Sequence, residues 1–129
     1  MTLETPSPRA LLSTLWVMLM INMIYNDIFS LVLAHAGLLE MDIPGDPRLM
    51  MALAGVLTNI PIVMILVSRH AAYRLNRRLN VAAVVFTLLY IVGGGDTAPH
   101  YLVVAAIEAV ILAGILVTAL RWKGPARAG

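Results

Sequence analysis

Two carboxylates stand among residues otherwise suited to hydrocarbon: Asp27 in the run from Trp16 to Ala36, and Glu108 in the run from Tyr101 to Leu120. A charged side chain at the centre of a bilayer costs about 2.5–3.5 kcal/mol even on insertion scales, so an acid kept there faces a partner or a watery cavity. Asn22, Tyr25 and Asn26 precede Asp27, Asn59 lies in the second apolar stretch, Tyr90 in the third, and Tyr101 seven residues before Glu108. The chemistry open to such a set is acid–base chemistry. Two carboxyl groups in a poorly solvated layer cannot both ionise cheaply, so one is expected to keep its proton while the other, or an asparagine, accepts. Asp27 and Glu108 are therefore the candidate catalytic pair. Asn22, Tyr25, Asn26, Asn59, Tyr90 and Tyr101 are the candidate ligand-binding residues, with the phenols placed to orient a substrate or stabilise developing charge.

Four apolar stretches must position these residues, over about 11–36, 48–69, 79–95 and 99–120. Each is about long enough to cross a bilayer, which makes the expected fold all-α: an integral membrane four-helix antiparallel bundle forming one domain. Pro6 and Pro8 oppose helix ahead of the first span, Gly37 offers a cap at its end, and Pro47 and Pro99 suit the first positions of the second and fourth helices. The basic segment from His70 to Arg78 reads as a connecting turn, and Gly93-Gly94-Gly95 closes the third helix. Counting inward from Ala36 and Pro99, Asp27 and Glu108 each lie nine residues deep, about 13 Å at 1.5 Å per residue. They are expected to share a layer, with Asn59 and Tyr25 slightly deeper.

On the first helix Asn22, Asn26, Asp27 and Ser30 fall within an arc of about 140° at 100° per residue, so they face one sector of the bundle. Pro61 removes a backbone donor from the second helix and should leave the carbonyl of Leu57 without its usual partner. Some polar and small residues read more simply as packing. Ala105, Ala109 and Ala113 form a small-residue seam at four-residue spacing, as do Ala52, Gly55 and Asn59 on the second helix. Trp16 and Trp122 fall near one membrane face and Tyr101 near the other, as interfacial aromatics do.

Composition bounds the remaining possibilities. With 60% hydrophobic and 12% charged residues, the chain lies far from the quarter-charged average of soluble domains. Its basic balance is explained by topology rather than by nucleic acid. Arg9, Arg69, Arg74, Arg77, Arg78, Arg121, Lys123 and Arg127 gather on one side and only Arg48 falls on the other. The positive-inside rule then places both termini in the cytoplasm, with the chain expected in the cell's inner (plasma) membrane and the acids Glu40, Asp42, Asp46 and Asp96 facing outward. Ala34-His35-Ala36 resembles a signal cleavage site, but the preceding apolar run is long and holds Asn22, Asn26 and Asp27, so it is expected to remain as a span. The absence of cysteine excludes disulfides, thiol catalysis and thiolate metal sites. His35, His70 and His100 lack ligand-like spacing, so no metal or other cofactor is expected.

Several segments together resemble a known pattern. They are Leu11-Leu12-Ser13-Thr14-Leu15-Trp16, Asn22-Met23-Ile24-Tyr25-Asn26-Asp27-Ile28, Asn59-Ile60-Pro61-Ile62-Val63-Met64, Arg74-Leu75-Asn76-Arg77 and Ala106-Ile107-Glu108. The chain resembles, over nearly its whole length, a small family of bacterial four-helix integral membrane proteins defined as a domain of unknown function. The resemblance implies the four-span architecture and membership of Asp27 and Glu108 in the family pattern. It implies no activity.

Three function classes stay open on these residues. An acid–base enzyme or binding site for a small lipophilic molecule would use the two carboxyls directly. A small proton-coupled transporter or channel subunit would use them as a relay and would need a homo-oligomer to enclose a pathway, because four helices alone make a very small pore. A structural or regulatory subunit would use the polar layer to pin helix register.

Overall fold

The computed structural model describes residues 4–95 and 97–124, and Asp96 and Arg127 of the charge pattern lie outside the described residues. Four helices follow in order, α1 (Pro8–His35), α2 (Pro47–His70), α3 (Tyr73–Gly93) and α4 (Pro99–Arg121), with no strand among the described residues. They contain 28, 24, 21 and 23 residues, and each is long and apolar enough to cross a membrane. The helices form a four-sided bundle in which α1 packs on α2 and α4, and α3 on α2 and α4. One end carries the start of α1, the end of α4 and the α2–α3 turn and is called the basic end. The other carries the α1–α2 and α3–α4 loops and is called the acidic end.

Local chemistry sets the helix ends. Ser7 caps α1, its Oγ accepting the Ala10 N–H at 3.2 Å with Pro8 at the first helical position. Pro8 therefore starts the helix instead of opposing it, because a first-turn residue has no intrahelical use for the missing N–H. At the other end Gly37 takes φ +71°, and the N–H groups of Gly37 and Leu38 return to the carbonyls of Ala34 and Leu33. This pair of bonds satisfies carbonyls that the helix end would otherwise orphan. Asp46 caps α2 through the Arg48 N–H at 2.9 Å.

The segment from Tyr73 to Arg78 is helical, so the expected long basic turn shrinks to Ala71-Ala72. Asn76 explains why so tight a link holds. Its Nδ2 donates to the carbonyls of Ser68 at 2.8 Å, Val67 at 3.2 Å and Ala71 at 3.5 Å, closing the end of α2 from the first turn of α3.

Packing is concentrated in the half next to the basic end. Leu12, Trp16 and Leu19 of α1 meet Met64, Ala83, Val84, Ile111, Leu112, Ile115 and Ala119 in one buried cluster. In lipid such helices gain little from the hydrophobic effect, and they associate through close packing and interhelical hydrogen bonds. Trp16 lies in this core, fully buried, rather than at an interface. Its Nε1–H donates to Asn80 Oδ1 at 2.7 Å, where the Ser68 hydroxyl also donates at 3.3 Å. Asn80 Nδ2 in turn donates to Asn76 Oδ1 at 2.7 Å. Three helices are thereby joined through side chains with no exposed surface.

The expected small-residue seams do not form the contacts within the bundle. Ala52, Gly55 and Asn59 are exposed, as are Ala109 and Ala113. The packed face of α4 is instead Val104, Glu108, Ile111, Leu112, Ile115 and Ala119. Mostly bulky side chains fill the centre, joined by Ala83 and Ala119.

A latch at the basic end completes this half. The Arg9 guanidinium donates to the Ala71 carbonyl at 2.5 Å and lies 5.2 Å from the centre of the Trp122 ring. The Tyr73 hydroxyl donates to the Trp122 carbonyl at 2.6 Å.

Candidate functional site

The half next to the acidic end is packed differently. There α4 contributes the buried residues Val104 and Glu108, while the buried residues of α1 end at Leu19, those of α2 begin at Pro61 and those of α3 end at Thr87. On one side α1 and α4 stay joined. Asn22 Nδ2 donates to the Val104 carbonyl at 3.2 Å, and Ser30 Oγ is hydrogen-bonded to His100 Nε2 at 3.0 Å. Away from that seam the helices and the α1–α2 loop line an open cavity of about 680 Å³.

Asp27 and Asn26 of α1, Tyr90 of α3, and Tyr101 and Glu108 of α4 line this cavity. The two carboxylates share this cavity with the Tyr90 phenol. Their settings differ. Glu108 is 5% exposed and has no hydrogen-bonding or ion-pair partner among the described residues, whereas Asp27 is exposed. One acid is therefore sunk into the packed face of α4 and the other stands at the open side. The Tyr101 hydroxyl donates to the Ile91 carbonyl at 2.6 Å, which holds α4 to the end of α3 beside the cavity. Buried Asn26 Oδ1 accepts no hydrogen bond among the described residues.

Three of the residues expected at the site are placed elsewhere. Tyr25 is 54% exposed, with its ring 6.1 Å from that of Phe29, on the outside of α1. Asn59 turns its Nδ2 back to the Gly55 carbonyl of its own helix at 2.6 Å. Asn22 binds the α4 backbone and belongs to the helix seam. A residue two positions from Asp27 on a helix points about 200° away, so proximity in sequence could not place Tyr25 beside it.

Two groups of residues, one lining the site and one in the packed core, were not evident from the sequence. The α1–α2 loop lines the mouth, bringing Glu40 and Asp42 to the cavity, and α2 adds only Thr58. No periodicity predicts where an irregular loop folds back. The Ser68–Asn76–Asn80 cluster had a signal, since Asn76 and Asn80 stand at i and i+4, but it appears only once α3 is begun at Tyr73.

A second hollow, of about 560 Å³, lies at the basic end against Tyr73, Arg74, Arg77 and Arg78, and none of the candidate residues reach it. Among the described residues no three His, Asp or Glu side chains gather as metal ligands would.

These features define an all-α four-helix bundle of membrane-spanning length and apolarity, packed in one half and hollowed by an acid-lined cavity in the other. The chain belongs to the Family of unknown function (DUF6326), which matches residues 4–128. No curated protein and no solved structure matches it.

Proposed function

We propose that this multi-pass membrane protein binds a small lipophilic molecule in the cavity at its acidic end, where Glu108 and Asp27 exchange a proton with it or hold its polar group. The observation that carries this reading is a single cavity lined by both carboxylates. At about 680 Å³ it falls in the range of about 300–1,000 Å³ usual for small-molecule sites. The packed core and the Trp16–Asn80 cluster fill the other half, which favours a site with one mouth over a conduit. The unequal burial of the two acids supports a division of labour, a sequestered group acting as proton donor or anchor and an exposed one relaying to water. The positive-inside rule places the acidic end, and so the mouth, on the outer face of a bacterial inner membrane.

The chain has no cysteine, so a single introduced thiol reports cleanly. Thr58→Cys lies on the cavity wall and Leu38→Cys, at a position 75% exposed, serves as the control. A fraction of the membrane lipid extract should slow maleimide labelling at position 58 and leave position 38 unchanged. Equal rates at both positions with every fraction would remove the lipophilic-ligand reading.

A further inference from the structure

The charge of the cavity is one-sided. Asp27, Glu40, Asp42 and Glu108 line it from three different segments, and among the described residues no Lys or Arg does. Glu108 strengthens the case beyond a mere cluster of acids, because it is 5% exposed, opens on the cavity and has no hydrogen-bonding or ion-pair partner among the described residues. An isolated buried carboxylate is costly unless it carries a proton or meets a positive charge, and nothing described in the fold supplies that charge. An anion would be repelled by the acids of the mouth, and a neutral molecule would leave Glu108 holding its proton, whereas a cation lets it ionise. A metal ion needs several oxygen ligands converging at 2–2.6 Å, and among the described residues no three acids gather in that way. The space around the carboxylates is too large for a bare ion, and apolar side chains including Met23, Met41 and Leu89 help to wall it. Flexible methionines adapt to apolar groups of varied shape. The phenol rings of Tyr90 and Tyr101 add aromatic surface that favours a cation.

We propose that the occupant is an organic monovalent cation with apolar substituents, its charge held against Glu108 and its entry favoured by Glu40 and Asp42 at the mouth. This rests on the lipophilic-ligand reading and adds the sign of the charge. Attraction between unit charges in contact at an effective dielectric constant of about 20 is enough to separate a cation from its isosteres by orders of magnitude.

The test uses three probes of nearly the same size and shape and different charge: tetraphenylphosphonium, tetraphenylsilane and tetraphenylborate. Equilibrium dialysis is run on the full chain in nanodiscs of zwitterionic lipid. The phosphonium should bind saturably at about one per cavity, and Glu108→Gln should weaken it at least ~tenfold, with Glu108→Asp retaining most of the affinity. The double variant Glu40→Gln/Asp42→Asn should weaken it by a smaller factor that vanishes in high salt, and it decides the matter if Glu108→Gln does not fold. Absence of saturable phosphonium binding, or binding unchanged by every one of these variants, overturns the proposal. If the silane or the borate binds instead, the cavity remains a lipophilic site of another charge preference. If none of the three binds, and position 58 is not protected by any lipid fraction, the ligand reading falls with it.

Discussion

Asn80 and Glu108 are both buried polar residues, and they should respond to substitution in opposite ways. Asn80 accepts from Trp16 and Ser68 and donates to Asn76, so Asn80→Leu leaves three buried polar groups short of a partner. Each unsatisfied group costs about 1–3 kcal/mol, and transmembrane hydrogen bonds fall at the weaker end of their range, so a loss of roughly 2–4 kcal/mol is expected. Reversible unfolding in mixed micelles would measure it, and a loss below about 0.5 kcal/mol would show that the cluster contributes little. Glu108 has no partner to lose among the described residues. Glu108→Gln should therefore keep stability within about 1 kcal/mol of wild type, or raise it, since the amide lacks the desolvation cost of a carboxylate. A large destabilisation in the same unfolding assay would assign Glu108 a structural role.

At the scale of elements, the termini of the helices hold more information than their middles. Gly124 takes φ +77°, and a Cβ there would stand 2.7 Å from the Tyr73 ring. Gly124→Ala should therefore displace the chain from Tyr73 and weaken the contact in which that ring meets Trp122 at 5.0 Å. A cost of about 1–3 kcal/mol is expected, together with a change in tryptophan fluorescence. Gly37 also has a positive φ, of +71°, but nothing lies within 4 Å of the position a Cβ would take. Gly37→Ala should cost only the backbone term, about 1–2 kcal/mol, and leave tryptophan fluorescence unchanged. If the two variants behave alike, the close approach of Gly124 to Tyr73 carries no energy of its own.

For the whole molecule, the separation of charge between the two ends predicts orientation. Arg78 and Met41 are exposed at opposite ends. A membrane-impermeant maleimide should reach Met41→Cys from outside intact cells and Arg78→Cys only after permeabilisation. The reverse pattern would invert the topology and put the cavity mouth in the cytoplasm. Four apolar runs, the helix-ending glycines and the depth of Asp27 and Glu108 were legible in the order of residues, because helix formation and length are local properties. The division into a filled half and a hollow half was not, since it depends on which residues of different helices meet. Val104 is as buried as Ile111 and belongs to the same stripe, yet only the latter sits in the core cluster. Tyr25 and Asn59 share Asp27's approximate depth but face outward, while Glu40 and Asp42 reach the cavity from a loop. Depth along a helix follows from counting at 1.5 Å per residue, and the sequence alone determined it. Rotation about the helix axis and the path of a loop are set by packing against other segments, and only the tertiary structure decided those.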